Sequence, residues 1–339
     1  MKKAFFILIL FSSFSCIAQL NFFSIKNISR DSLSFPIFSC TNNNVSDKIN
    51  SLLQLTELHL LNGYEKHDIF EIVSQVSDNL IVGKTDLHYQ IFTNSSKVLS
   101  LKFDEADLIG TTHYWTSYYT FNSGNGDLIT LKDLFTTTGY EKFRRIALEK
   151  QLAKFRKVFS YNPKALVGDT SFYIDIIKNS DYSEFYISGE TIILDGNNYL
   201  VKEDRLLSQV NLISKINYKE IKTLLNDYGK AILLQNGNIK AYHSHSLSQL
   251  MVGYIDTFPI VMLLNTDRTN YLSGVYAYLK NGVGIPLHGY YLQGNNIHLV
   301  EEKDQIKIAD IYATLTDGLV EGSWQNNTGK KYHLKAINK

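Results

Sequence analysis

Residues 113–121, HYWTSYYTF, set six rings into nine positions just before the turn signal SGNG at 123–126. Such rings can stack on sugars or anchor a protein partner, because each buries a large rigid area at small entropic cost. On an extended strand successive side chains alternate faces. His113, Trp115, Tyr119 and Phe121 then share one face with Ser117, and Tyr114 and Tyr118 share the other with Thr116 and Thr120. The first set is more apolar and is expected to pack inward, which leaves Tyr114 and Tyr118 as the exposed pair. Tyr114 and Tyr118, with His113 and Trp115 beside them, are the candidate ligand-binding residues. Cross-strand packing without any ligand is the plainer reading of the same rings.

Other reactive types are sparse. No Gly-x-Ser-x-Gly elbow and no His-Glu-x-x-His zinc helix occurs. SGNGD carries Gly124 and Gly126 but no following Lys, so it reads as a hairpin turn rather than a phosphate loop. YHSHS places His243 and His245 about 7 Å apart on one strand face, a weak metal pair that lacks a nearby carboxylate. A polar strand edge explains the pair more simply. The run FDEAD, with Asp104, Glu105 and Asp107, lacks calcium-loop spacing and reads as a solvated strand end. Glu301 and Glu302 in LVEEKD read as a solvated turn. No residue is assigned a catalytic role, and no cofactor or metal is expected.

The 339 residues are 44% hydrophobic and 20% charged, an ordinary globular balance, while 22 Tyr and 19 Phe lean towards pleated structure. The first 18 residues read as a secretory leader. Lys2 and Lys3 precede an apolar run from Ala4 to Phe11, and Cys16 and Ala18 stand at −3 and −1 of a cleavage site. A lipid anchor on Cys16 is the lesser alternative, because Phe14 and Ser15 make a poor lipobox. Loss of the leader tips the nearly even charge just to the acidic side, so nothing attracts nucleic acid. No later segment is long and apolar enough for a membrane helix. Cys40 is the one cysteine of the mature chain, which excludes an internal disulfide, and is expected to be a small buried residue at a strand end.

The elements that must hold these residues follow from periodicity. Two strands are expected in 20–40, with Pro36 placing the second at an edge or bulge. Ile49, Leu52, Leu53 and Leu60 predict a helix that Ser46 caps and Gly63 closes. HDIFEIVSQVSDNL predicts a second short helix. Strands are expected at DLHYQIFTN, KVLSLKFDEA and the aromatic run, then a long amphipathic helix over YEKFRRIALEKQLAKFRKVF. SFYIDIIKN, EFYISGETIILDG and SQVNLISKI predict further strands, and Asn217 starts one more helix through YKEIKTLLNDYG. From residue 232 onwards, short apolar runs with Gly and Asn-Gly punctuation predict an antiparallel meander.

The segment VLSLKFDEADLIGTTHYWTSYYTFNSGNGDLITLKDLF resembles the RsiV-like extracytoplasmic domain family. The resemblance rests on Ile49, Asn50, Ser100, Leu101, Phe121, Asn122, Leu131, Asp133, Leu134 and Phe135. It extends more loosely over about residues 20–230. It implies an envelope module that binds a protein such as lysozyme or a peptidoglycan-related glycan. The family's Gly-Gly-Ala-His type of turn is GTTH here, Gly110 to His113. Neither an anti-sigma segment nor a deacetylase-like Asp and His metal site is evident. The last hundred residues resemble calycin-like β modules more weakly, through GSW at 322–324.

The chain is therefore expected to carry a leader (1–18), an α+β domain (19–231) with an antiparallel sheet bearing helices on one face, and an all-β meander or small barrel (232–339). The expected function is a secreted, periplasmic or cell-surface binding protein for a lysozyme-like protein or cell-wall glycan. The alternatives are a cell-wall hydrolase or esterase with a site assembled only in three dimensions, or a structural envelope component.

Overall fold

The computed structural model describes residues 21–339 apart from 66–67, 78–79, 162–168, 181, 202–203, 205–210, 235–247, 267–270 and 304–305. The expected leader, with Cys16, and the His243 and His245 pair lie outside the described residues. The first sheet runs β1 (Ser24–Arg30), β2 (Leu33–Ser39), β4 (Leu80–Asn94), β5 (Val98–Ile109), β6 (Thr111–Asn122), with β3 (Ser74–Ser77) paired to β4. Its pairings are antiparallel except β2 with β4, which meet in parallel at Leu33 and Leu87. Pro36 thus has a ladder partner on one side only, Asn27 of β1.

Alternation decides what the sheet buries. Leu99, Leu101 and Phe103 of β5 and Tyr119 and Phe121 of β6 join Ile49, Leu52 and Leu53 of α1 (Asn43–Leu58) in one core. Each such side chain contributes about 1.5–3 kcal/mol on burial. The helix starts one turn earlier than expected, at an Asn42 N-cap, and Ser46 instead bonds back to the Asn43 carbonyl at 3.1 Å. It ends at His59, which takes the left-handed conformation at φ 50°, so Gly63 is not its stop.

The middle of the chain builds a second core. α2 (Leu131–Leu134), α3 (Thr137–Tyr161), α5 (Tyr218–Ile221) and α6 (Asp227–Leu233) share it with a small antiparallel sheet of β7 (Phe185–Ser188), β8 (Thr191–Asp195) and β9 (Ile213–Asn217), while α4 (Thr170–Lys178) packs on Phe155 of α3 in a further cluster. This sheet covers the face of β4–β6 opposite α1. Thr93 Oγ1 donates to the Ile187 carbonyl at 2.7 Å, and the Ile187 N–H donates to Ser100 Oγ at 3.0 Å.

The C-terminal part closes into an eight-stranded antiparallel barrel. Its strands are β10 (Met251–Ile255), β11 (Phe258–Thr266), β12 (Tyr271–Tyr278), β13 (Gly284–Tyr291), β14 (Asn296–Lys303), β15 (Ile306–Thr316), β16 (Leu319–Asn326) and β17 (Lys331–Asn338). Side chains fill it, as expected for a barrel of this strand number. Leu250 and the outward residues Val261, Leu263, Val275 and Ala277 join the α1 core. The Leu61 N–H donates to the Gly282 carbonyl at 2.8 Å, and the Gly284 N–H to the His59 carbonyl at 2.7 Å.

Several local expectations are overturned. HDIFEIVSQVSDNL forms turns through 69–73 and then β3, because pairing with β4 satisfies its backbone. SFYIDIIKN is helix α4: Asp169 caps the Ser171 N–H at 2.8 Å, and Tyr173 and Ile177, four apart, are its buried residues. The last predicted helix breaks in two at Leu225, since the Asn226 side chain caps α6 through the Gly229 N–H at 2.7 Å. Cys40 follows β2 but is only half-buried. FDEAD is not a solvated strand end, for Glu105 is buried inside the first sheet's core side. Glu301 is likewise no turn residue; it is buried in the barrel.

Candidate functional site

The aromatic strand β6 is the outer strand of the first sheet, and its two ends differ. From Tyr119 to Asn122 it is buried, while Thr111, His113 and Tyr114 are exposed. Tyr114 is 48% exposed and stands on the rim of a cleft of about 420 Å³. Three strands and the Asp195–Asn198 turn furnish its walls, among them Asp86, His88, Lys102, Asp104, Asp195 and Asn198. Asp86, His88, Lys102 and Asp104 face the cleft because they occupy the outward positions of β4 and β5, opposite Leu87, Leu101 and Phe103.

Local bonds fix the lining. His88 Nε2 lies 2.8 Å from Asp86, and Lys102 Nζ lies 2.6 Å from Asp104. Thr116 Oγ1 donates to Asp104 at 2.8 Å, and Asn198 Nδ2 donates to the Thr116 carbonyl at 2.8 Å. The Asn197 N–H donates to Asp195 at 2.8 Å. Carboxylates outnumber cations in this lining, so the cleft is acidic with one aromatic rim.

The four sequence candidates part company. Tyr118, expected to be exposed beside Tyr114, is turned onto the small sheet: its ring stacks on Tyr186 at 5.6 Å and its hydroxyl donates to Asp195. Burial, with the Asp195 charge, drives the Tyr118 pKa well above that of an ordinary phenol. His113 is exposed, with Nε2 3.2 Å from the Thr111 hydroxyl. Trp115 is half-buried with the Lys84 ammonium 5.7 Å from its ring centroid. Tyr114 and Trp115 therefore line the cleft, and Tyr118 holds Asp195 of its wall.

A second cluster of titratable groups lies on the α1 side. Lys84 pairs with Glu105 and, at 3.4 Å, with Glu57; Tyr119 donates to Glu57, and Ser117 donates to Glu105 at 2.9 Å. Burial and then the Glu105 charge push the Glu57 carboxyl up to about 8. Burial opposes the Lys84 charge, but Glu57 and Glu105 outweigh it and hold the ammonium above its ordinary pKa. His59 is lowered by burial and by Lys84, and Asp107 is raised by burial. The Glu57 and Glu105 side chains are 3% and 1% exposed. Sealed to that degree, the cluster ties α1, β4 and β5 together.

Sequence reasoning missed Asp86, His88, Lys102, Asp195 and Asn198. The polar alternation DLHYQ on β4 and LKFDE on β5 is the signal that marks an outward face. Nothing local marks Glu57 and Lys84, which are far apart in the chain. Among the described residues no group of three His, Cys, Asp or Glu side chains could hold a metal ion.

No family model matches the chain, and no curated protein matches it. Among solved structures it is similar to the crystal structure of a member of the DUF3298 family from Bacteroides fragilis. The two are 13% identical with a TM-score of 0.42, over 62% of this chain and 97% of that one. A likeness at that level bears on neither the activity nor the ligand of this protein.

Proposed function

We propose that the protein is a secreted or envelope-associated binding protein that engages a peptidoglycan-related glycan or a lysozyme-like protein at the Tyr114 cleft. The observation that carries this reading is Tyr114 itself, an exposed ring on the rim of an acidic 420 Å³ cleft. A sugar presents an apolar face for stacking and hydroxyls that donate to carboxylates. A basic protein presents cations that an acidic wall attracts. The leader at residues 1–18 supports export.

The test is calorimetric titration of residues 19–339 with soluble peptidoglycan fragments and, separately, with hen lysozyme. Tyr114→Ala is expected to weaken binding by about 1–3 kcal/mol while leaving Tm nearly unchanged, as for an exposed anchor. Binding that survives Tyr114→Ala at full strength would move the ligand away from this cleft.

A further inference from the structure

Among the described residues, Glu301 is the one carboxylate buried in the barrel. Only 7% of the residue is exposed. Its Oε2 accepts from the Tyr276 hydroxyl at 2.7 Å and from the Trp324 Nε1–H at 2.9 Å. Both donors fall on the same oxygen. Among the described residues, Oε1 has no hydrogen-bond partner and no Lys, Arg or His nitrogen lies within 4.0 Å of the carboxylate. A carboxylate so enclosed, with one oxygen left over, is well placed to take a cation beside it.

The surroundings suit one. Glu301 sits towards one end of the barrel, at the register shift between Glu301 and Glu302 of β14. Tyr276 and Tyr278 meet edge to face at 5.4 Å, and Trp324 and Tyr332 lie 5.8 Å apart. Tyr278, Trp324 and Tyr332 are half-buried, so the group reaches solvent. The Lys330 ammonium already lies 4.9 Å over the Tyr332 ring, so a ring of this mouth accepts a cation from outside. Aromatic faces attract weakly hydrated cations most strongly. A hard metal ion would want several oxygen ligands, and the described residues supply no such group.

We propose that this mouth of the barrel is a binding site for an organic ammonium group, held by Glu301 and the faces of Tyr278, Trp324 and Tyr332. It stands independently of the Tyr114 cleft. The chain has two tryptophans, so its indole N–H spectrum is simple, and the Trp324 N–H reads the Glu301 carboxylate directly. The experiment titrates the ¹⁵N-labelled mature chain with tetramethylammonium chloride, using sodium chloride and neutral tert-butyl alcohol as controls and Trp324→Phe to assign the signal. The expected result is a saturable shift of the Trp324 N–H, none for Trp115, and at least tenfold weaker binding in Glu301→Gln. Tyr332→Leu, at the half-exposed rim, should weaken it several-fold and decides the matter should Glu301→Gln fail to fold. A shift that never saturates, that tert-butyl alcohol reproduces, or that survives both substitutions overturns the site.

Discussion

At the residue scale the molecule separates two kinds of carboxylate that the sequence alone makes look alike. Asp104 and Glu105 are neighbours in FDEAD, yet the strand pleat sends one to the Tyr114 cleft and the other into the core with Lys84. Glu57 completes the buried set, and its proton is the measurable consequence. Its carboxyl titrates at about 8 in the fold against an ordinary value of 4.5, so the folded state binds the extra proton between these limits. Stability from this group is full below about 4.5 and is lost as pH rises through 8. His59, lowered by burial, acts the other way only below its ordinary 6.5, and raised Asp107 acts in the same sense as Glu57. Between pH 7 and 9 the wild-type melting temperature should therefore fall. Glu57→Gln keeps an acceptor for Tyr119 and removes the titration, so its melting curve should be flatter across that window and higher than wild type at pH 9. Parallel slopes in the two proteins would place the pH dependence elsewhere.

At the scale of elements, what was legible depended on whether one period dominated. Leu99, Leu101 and Phe103 alternate cleanly and form a strand, and the long run from Phe143 to Phe155 keeps a helical face. SFYIDIIKN satisfies both periods, and only the Asp169 cap, just before it, tips it to helix. The Tyr114 cleft was half legible: the aromatic alternation pointed to Tyr114, but Tyr118 is claimed by Tyr186, a partner 68 positions on that no local pattern announces. Long-range contact likewise decides α2 and α6. Asn226 Nδ2 donates to the carbonyls of Asp133 at 2.9 Å and Phe135 at 3.0 Å, which presses the two short helices together. Gly229 is what permits the approach, since a Cβ there would lie 2.0 Å from the Leu134 carbonyl oxygen. In an open helix Gly→Ala would gain about 1 kcal/mol. Here overpacking outweighs that gain, and Gly229→Ala is expected to cost about 1–3 kcal/mol in urea unfolding. A stabilised variant would mean that α2 and α6 can separate without loss.

At the scale of the whole molecule, the barrel is a closed unit whose outer wall is also core. The residues that fill it, such as Met262, Tyr276 and Leu299, face inward, while Val261, Leu263, Val275 and Ala277 face α1. Each strand of that wall therefore has two buried faces, unlike β13 to β15, where Tyr290 and Tyr312 are exposed. Cut away from the α+β part, the barrel would present those side chains to water. Backbone bonds from Leu61 and Gly284 extend the junction, as does the Tyr64 hydroxyl on the Leu279 carbonyl. Chains of this length often unfold in steps, domain by domain. The shared core argues instead for coupling between the two parts. Scanning calorimetry of residues 19–339 should show one transition, and Leu263→Ala, costing about 2–5 kcal/mol, should shift the whole of it downwards. Two transitions, of which Leu263→Ala moves only the barrel's, would mean that the interface is too weak to couple them; a single transition that moves intact means that a ligand taken up at either proposed site would be felt by the stability of both parts.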